Sequence, residues 1–260
     1  MKKNHFKIIF LFFVLVSCKT YTILNKTESN NITLTNSSSE EDKSITQEIH
    51  PYKIAIDSAM NVTLNYSEVE MTTGSPEGIL GNFVCDLSLE IGNRLYKKQT
   101  GGIADFALLN NGGLRTFLPK GKITRRKIYE LMPFENQLVV VTISAEKTAE
   151  LFQYIGNKTT KSSTRKNGVP VSGNIKVILK DKIPQKVILN KNLLQEKTYK
   201  IITSDYLANG GDKMSFFLNP IKIEPLGIKL RDAIIQYIIE ENEKGNKLNA
   251  SLDERIKYVK

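Results

Sequence analysis

The sequence is poor in the residue types that catalyse reactions. Its 260 residues include two histidines, two cysteines and no tryptophan. A metal-assisted hydrolase site needs several His, Asp or Asn ligands on converging loops, and His5 and His50 cannot provide them. The sequence also contains no Gly-x-Ser-x-Gly elbow and no Walker-type phosphate loop. It therefore predicts no catalytic residue, no metal site and no cofactor on this chain.

The charge balance favours anionic ligands but not nucleic acid. Lysine and arginine together number 37 against 27 acidic residues, which gives a net charge of +10. Such a surplus attracts anions through the long-range field of the protein. Nucleic-acid binding is not predicted, because the sequence has no dense arginine stripe with interleaved aromatic residues. The hydrophobic share of 40% is ample for a folded core.

Residues 1–18 have the pattern of a secretory signal. Met1–Lys3 is basic and Ile8–Val16 is apolar, but the apolar run is shorter than the roughly 20 residues that span a bilayer. The segment Leu15-Val16-Ser17 followed by Cys18 resembles a bacterial lipobox. That resemblance implies cleavage before Cys18 and a lipid on this residue, which would attach the protein to the bacterial cell envelope, at the outer membrane. An ordinary cleaved signal and an uncleaved anchor are the alternatives.

The remaining sequence divides into a tether and a folded domain. Residues 19–50 are rich in Asn, Ser, Thr and Glu and cannot bury enough apolar area to order themselves, which predicts a flexible polar tether. The folded domain is predicted to cover residues 51–260. Within it, Cys85 lies in an apolar helical pattern and is expected to be a buried, unreactive thiol.

Periodicity predicts a mixed α/β domain. A helix is expected to start at Ser75-Pro76 and to carry apolar residues from Leu80 to Leu95 on one face. Thr124 and Ser144 are predicted to cap two further helices. Strands are predicted at Thr63–Tyr66, Phe106–Leu109, Leu138–Ile143, Asn174–Lys180, Gln185–Leu189 and Tyr199–Thr203, of which Asn174–Lys180 and Gln185–Leu189 form a hairpin. A last helix is predicted at Leu230–Ile238.

A glycine-rich loop is the first candidate binding segment. Gly112-Gly113 allows a ligand to approach the backbone closely. Arg115 follows two residues later and offers a planar fork suited to phosphate. The alternative is a tight turn with a solvated arginine.

Two further segments supply aromatic and polar groups. Phe134 and Tyr206 could stack on opposite faces of a ligand ring, at about 1–3 kcal/mol per face. Asn136 carries a donor and an acceptor side by side, as the edge of a base requires. Asp212, which follows two glycines, could accept hydrogen bonds from ribose hydroxyls. The alternatives are a core residue under the loop for Phe134 and a turn-stabilising carboxylate for Asp212.

Taken in order, these segments resemble the C-terminal domain of the bacterial 5′-nucleotidase / UDP-sugar hydrolase family. No single motif is specific, but their order and spacing are. The matching segments are Leu80-Gly81-Asn82, Asn110–Arg115, Ile123-Thr124, Leu131–Val141, Val171–Gly173, Thr198–Asp212 and Asp253–Ile256.

The resemblance implies a single four-layer α/β/β/α domain that binds a substrate nucleotide. Carried over by position, Phe134 and Tyr206 sandwich the base, and Arg115 binds the phosphate. The resemblance also implies that Asn136 and the backbone at Gly168 contact the base edge, and that Asp212 binds the ribose.

In that family, phosphate ester hydrolysis belongs to a separate N-terminal metallophosphatase domain with two divalent metals and a His-Asp pair. No segment before Tyr52 is suited to form such a domain, which predicts a metallophosphatase on another chain. The expected function is thus the nucleotide-binding half of a 5′-nucleotidase in nucleotide catabolism. A non-catalytic lipoprotein that captures nucleosides or nucleotides, and a scaffold without binding activity, are the alternatives.

Overall fold

A computed structural model describes residues 26–31, 42–160 and 168–259. The predicted signal with Cys18, most of the predicted tether and residues 161–167 lie outside these ranges. The chain divides into two units, Met1–His50 and Pro51–Lys260.

Helices and strands alternate irregularly through the described residues. The helices are α1 Lys43–Met60, α2 Ile79–Thr100, α3 Arg125–Leu131, α4 Ala145–Lys158, α5 Asp205–Ala208 and α6 Leu230–Glu243. The strands are β1 Thr63–Ser67, β2 Phe106–Ala107, β3 Gly121–Thr124, β4 Gln137–Ile143, β5 Ile175–Lys180, β6 Ile183–Leu189, β7 Asn192–Leu193, β8 Tyr199–Ser204, β9 Lys222–Lys229 and β10 Ile256–Tyr258.

The central sheet has the strand order β2-β8-β4-β9 and separates two hydrophobic cores. Because side chains alternate along a strand, Val140 of β4 faces one core and Val141 faces the other. Helices α2 and α6 pack in the first core, while α4 and the second sheet, of order β10-β5-β6-β7, enclose the other. This arrangement confirms the mixed α/β fold class.

The two predicted helix caps are confirmed. The Thr124 hydroxyl oxygen accepts the N–H of Lys127 at 3.3 Å, and the Ser144 oxygen accepts the N–H of Lys147 at 3.3 Å. Each cap satisfies one backbone donor in a first helical turn that has no partner within the helix.

The predicted start of α2 at Ser75-Pro76 is wrong. The helix begins at Ile79, and its N-cap Gly78 makes no side-chain hydrogen bond. The Ser75 hydroxyl is used elsewhere: its oxygen accepts the N–H of Thr160 at 2.9 Å and donates to the Thr160 carbonyl at 3.1 Å. A long-range contact therefore takes the side chain that local pattern assigned to the cap.

Helix α1 begins inside the segment that the sequence assigns to the tether. The Asp42 carboxylate accepts the N–H of Ser44 at 2.9 Å, and no residue of α1 is buried. Among the described helices, none has both the length and the apolar character needed to cross a membrane. Cys85 is a buried free thiol, as predicted, and burial raises its pKa above the ordinary range.

Candidate functional site

The topology of the central sheet brings the three candidate loops to one edge. Strands β2 and β8 are parallel, so the loops that follow them, at Asn110 and Tyr206, leave the sheet at the same end. Strand β4 is antiparallel to β8, so the loop that precedes it, at Phe134, lies at that end too. Segments far apart in sequence thereby form one surface.

A shared carboxylate joins two of these loops. Oδ1 of Asp205 accepts the backbone N–H of Gln137 at 3.1 Å and the backbone N–H of Tyr206 at 2.8 Å. The start of β4 and the start of α5 are thus fixed relative to each other at the sheet edge.

Asp212 is the centre of a hydrogen-bond network. Its backbone is left-handed, with φ 54°, and its Oδ2 accepts Nδ2 of Asn110 at 2.6 Å. The Tyr206 hydroxyl donates to Oδ1 at 3.0 Å, and the Tyr154 hydroxyl donates to the Asp212 carbonyl at 2.8 Å. Burial, followed by the charge of Asp212, raises the pKa of Tyr154 to about 12, so Tyr154 is a neutral donor near pH 7.

Two cavities flank this network. The first, here called the Arg115 cavity, has a volume of about 460 Å³, and its lining includes Arg115, Gly168 and Asp212. The second, here called the Tyr206 cleft, is an open depression of about 450 Å³ whose lining includes Asn136 and Tyr206. The Tyr206–Asp212 hydrogen bond links the two.

Phe134 is exposed beside the Arg115 cavity. The residue is 41% exposed, so the alternative of a core residue beneath the loop is wrong. The Arg115 guanidinium carbon lies 5.9 Å from the centre of this ring, and Nη1 of Arg115 donates to the Gly112 carbonyl at 3.3 Å. The rings of Phe134 and Tyr206, both of them described, do not pack directly against each other.

Gly168 lies in the Arg115 cavity, away from Asn136, its predicted neighbour at the base edge. Its φ is 102°, and a Cβ at this position would lie 2.8 Å from the Gly74 carbonyl oxygen. Only glycine therefore fits here. Its N–H donates to the Lys158 carbonyl at 3.3 Å. The contact of its backbone with a base remains a prediction.

Two residues that contact the candidate loops were missed by reasoning from the sequence. Tyr154 on α4 reaches Asp212 from 58 positions away. Arg231 on α6 forms an ion pair with Glu135, in the loop that carries Phe134. Hydrogen bonds from Lys229 and then from Arg231 lower the pKa of Glu135 to about 2, which keeps this carboxylate charged.

The described residues do not fit the two divalent metals of a metallophosphatase. No group of three or more His, Cys, Asp or Glu side chains within the described ranges is arranged to hold a metal ion. The polar groups around Asp212 are amide, phenol and guanidinium donors, which suit hydroxyl and phosphate oxygens better than a divalent cation.

Comparison with known proteins gives a family match and several relatives. A family model described as 5′-nucleotidase, C-terminal domain, matches residues 56–219. The chain is 25% identical over 240 residues to the trifunctional nucleotide phosphoesterase protein YfkN of Bacillus subtilis, with 85% of this chain and 15% of that protein aligned. It is 24% identical to the 5′-nucleotidase of Rattus norvegicus, with 89% of this chain and 43% of that protein aligned.

Solved structures show the same fold. The crystal structure of the 5′-nucleotidase precursor from Thermus thermophilus superposes with a TM-score of 0.62 at 22% identity, over 86% of this chain and 44% of that one. The NAD nucleotidase of Haemophilus influenzae superposes with a TM-score of 0.55 at 15% identity, over 85% of this chain and 42% of that one. The chain thus spans less than half the length of each of these proteins.

Proposed function

Because the chain belongs to the 5′-nucleotidase C-terminal domain family, we propose that residues 51–260 bind a nucleotide or nucleoside for phosphate ester hydrolysis. The metallophosphatase that hydrolyses the phosphate is proposed to lie on a separate chain and to hold the two divalent metals there. Its product would be a nucleoside, as in nucleotide catabolism. The length of the relatives is consistent with a further domain that acts together with this one.

The observation that carries this proposal is the Asp212 network between the two cavities. The Tyr206 hydroxyl contacts the Asp212 carboxylate. A ligand whose ring lies against Tyr206 would therefore place its attached sugar next to that carboxylate. Each carboxylate oxygen has a second lone pair that a ribose hydroxyl could use. The Arg115 cavity continues from Asp212 toward a guanidinium that could bind the phosphate.

The other site residues take the roles that the resemblance implies. Phe134 is proposed to cover the second face of the base and Asn136 to contact its edge. The resemblance assigns the backbone at Gly168 to the base edge as well, but Gly168 lines the Arg115 cavity and not the Tyr206 cleft, so we propose that it contacts the part of the ligand that enters the Arg115 cavity. Aromatic stacking of this kind contributes about 1–3 kcal/mol per ring.

We further propose that a lipid on Cys18 holds the protein at the bacterial outer membrane. This location rests on the lipobox pattern of residues 15–18 alone. A second candidate function is that the lipoprotein captures nucleosides or nucleotides without taking part in hydrolysis, since the binding residues are present and the described residues hold no group arranged for a metal ion.

Calorimetry on the purified protein tests binding. Adenosine, AMP and UDP-glucose are titrated into wild type and into Phe134→Ala and Tyr206→Ala, each of which is expected to lose about tenfold in affinity. Phe117→Ala is the matched control, because Phe117 is 42% exposed and packs on Lys127, outside both cavities. Unchanged affinities in both site variants would contradict the proposal.

Hydrolysis assays test whether this chain binds the nucleotide while a separate chain hydrolyses it. AMP turnover with Mn²⁺ is measured for this chain alone and with a candidate metallophosphatase. Turnover that requires both chains is expected, whereas metal-dependent turnover by this chain alone refutes the separate-chain arrangement. Tight binding with no turnover under either condition favours capture.

A further inference from the structure

We propose that Arg231 is a positioning residue that fixes the loop Pro133–Asn136 and thereby orients Phe134 toward the base. This inference rests on the proposed function, because it assumes that Phe134 contacts a ligand ring. Arg231 lies 97 positions from Phe134 and lines neither cavity.

The guanidinium of Arg231 is buried under the loop. Its side chain is 7% exposed, and Nη1 donates to the carbonyls of Met132 and Phe134, each at 3.4 Å. Nη2 forms the ion pair with Glu135, and the guanidinium carbon lies 4.3 Å from the centre of the Tyr129 ring. One side chain thus contacts the backbone of the loop, a side chain of the loop and the helix α3 that precedes it.

The residues next to Arg231 hold the same loop. The N–H of Leu230 donates to the Asn136 carbonyl at 2.8 Å, and Lys229 forms a second ion pair with Glu135. The start of α6 therefore contacts the loop on both sides of Phe134. Phe134 itself is 41% exposed, and the Arg115 guanidinium carbon lies 5.9 Å from the centre of its ring.

Fixing the loop before a ligand arrives improves affinity, because less conformational freedom is lost on binding. Loss of Arg231 would leave the loop held by Leu230 and Lys229 at Asn136 and Glu135, and would free its backbone at Phe134 to reorient. The Asp212 carboxylate would be unaffected, because Asn110 and Tyr206 hold it. Arg231 should therefore contribute more to binding of the base than to binding of the sugar or of the phosphate, to which Phe134 is linked only through its contact with Arg115.

Lysine cannot replace arginine in this role. A planar fork reaches two carbonyls and a carboxylate while its face rests on an aromatic ring, whereas a single ammonium does not. Arg231→Lys keeps the charge beside Glu135 and removes the fixed geometry, so this variant separates the two properties.

The experiment compares two ligands that share a phosphorylated ribose, one with a base and one with a hydroxyl group at the anomeric carbon. Affinities for AMP and for ribose 5-phosphate are measured by calorimetry in wild type and Arg231→Lys. The ratio of the two affinities is expected to fall severalfold in the variant, and at most by the roughly tenfold loss expected when the Phe134 ring is removed altogether. Affinity for ribose 5-phosphate itself should change much less than affinity for AMP.

Two further variants serve as a control and as a second test of the loop. Arg94→Lys is the matched control, because Arg94 pairs with Glu240 on the same helix α6 at the surface. Glu135→Gln leaves Arg231 in place and alters a side chain that is 63% exposed, so the fold should tolerate it. A smaller fall in the same ratio is expected for Glu135→Gln and none for Arg94→Lys, with thermal unfolding recorded for each protein.

The outcomes distinguish this inference from the function on which it rests. An unchanged ratio in folded Arg231→Lys, or in Glu135→Gln if Arg231→Lys does not fold, overturns the positioning role alone. Equal losses for both ligands assign Arg231 a purely structural role and also overturn it. A wild-type protein that binds AMP no better than ribose 5-phosphate overturns the stacking function and the inference together.

Discussion

The phenolic oxygen of Tyr206 lies 3.0 Å from Oδ1 of Asp212 and 3.3 Å from its backbone nitrogen, so the hydroxyl donates to the carboxylate and accepts from the amide. Gly211 makes this arrangement possible, because a Cβ there would lie 2.5 Å from Cε1 of Tyr206. The glycine turn thus packs against one part of the ring. The rest is open to the Tyr206 cleft, with 46% of the residue exposed.

The Tyr206 ring and its hydroxyl should contribute separately to binding. Tyr206→Phe keeps the stacking face and removes the hydrogen bond to Asp212, which is expected to cost about 0.5–1.5 kcal/mol in adenosine binding. Tyr206→Ala removes the ring as well and should cost more than Tyr206→Phe, about 1–3 kcal/mol in total. Calorimetry with adenosine measures both, and equal losses in the two variants would show that the ring does not stack on the ligand.

Asp212 should make binding depend on the ribose hydroxyls. Asp212→Asn retains a residue that tolerates a left-handed backbone but removes the negative charge. Because hydrogen bonds to charged groups contribute about 1.5–3 kcal/mol, the preference for adenosine over 2′,3′-dideoxyadenosine should fall about tenfold. Competition binding with the two nucleosides measures this preference. If it stays constant while unfolding stability drops, Asp212 only stabilises its turn.

The elements that could be predicted from the sequence are those whose signals are local. Strand β4 is a run of apolar β-branched residues, and the caps Thr124 and Ser144 each bond a backbone group three residues away. The hairpin β5–β6 was also predicted, although its turn is tighter than expected. Asp181 and Lys182 alone form it, both with positive φ.

The features that escaped prediction depend on tertiary packing. The Ser75 hydroxyl bonds Thr160, 85 positions away, and so does not cap α2. Tyr154 and Arg231 lie on helices whose apolar periodicity indicates only which face is buried, not which loop a single polar side chain contacts. The candidate loops themselves were found from their glycines, aromatic rings and polar side chains, and the parallel pairing of β2 with β8 explains why they meet.

Arg255 should be among the residues whose loss destabilises the fold most. Its side chain is 6% exposed, and Nη1 donates to the carbonyls of Val171 at 3.0 Å and Asn82 at 3.4 Å. The guanidinium also forms ion pairs with Asp86 and Asp253. Arg255→Met would leave buried carbonyls without these donors, so the free energy of unfolding in urea should fall by about 1–3 kcal/mol.

A surface pair provides the comparison for Arg255. Nη2 of Arg94 donates to both carboxylate oxygens of Glu240, but the Arg94 side chain is 48% exposed. Arg94→Met should therefore lower the free energy of unfolding by less than about 1 kcal/mol. Equal losses in Arg94→Met and Arg255→Met would mean that burial of the Arg255 guanidinium adds nothing to stability.

Tyr154 should make stability depend on pH in the alkaline range. Burial, Asp212 and Tyr206 raise the pKa of Tyr154 from the ordinary value of 10.0 to about 12 in the folded protein. Between these two values the unfolded chain releases the phenolic proton and the folded chain keeps it. The unfolded state then binds fewer protons, so the contribution of Tyr154 to stability is fully present below about pH 10 and is lost as the pH rises toward 12.

The difference between wild type and Tyr154→Phe isolates this effect, because other groups titrate alike in both proteins. Below about pH 9 the variant should be less stable by a constant amount, since it lacks the hydrogen bond from Tyr154 to the Asp212 carbonyl. Above about pH 10 that difference should shrink, because only wild type has this phenol to ionise on unfolding. The stability difference between the two proteins is measured from urea unfolding midpoints at pH values from about 9 to about 11. A difference that stays constant to pH 11 would show that Tyr154 ionises equally in the folded and unfolded states, and so that the Tyr154–Asp212 contact is open to solvent.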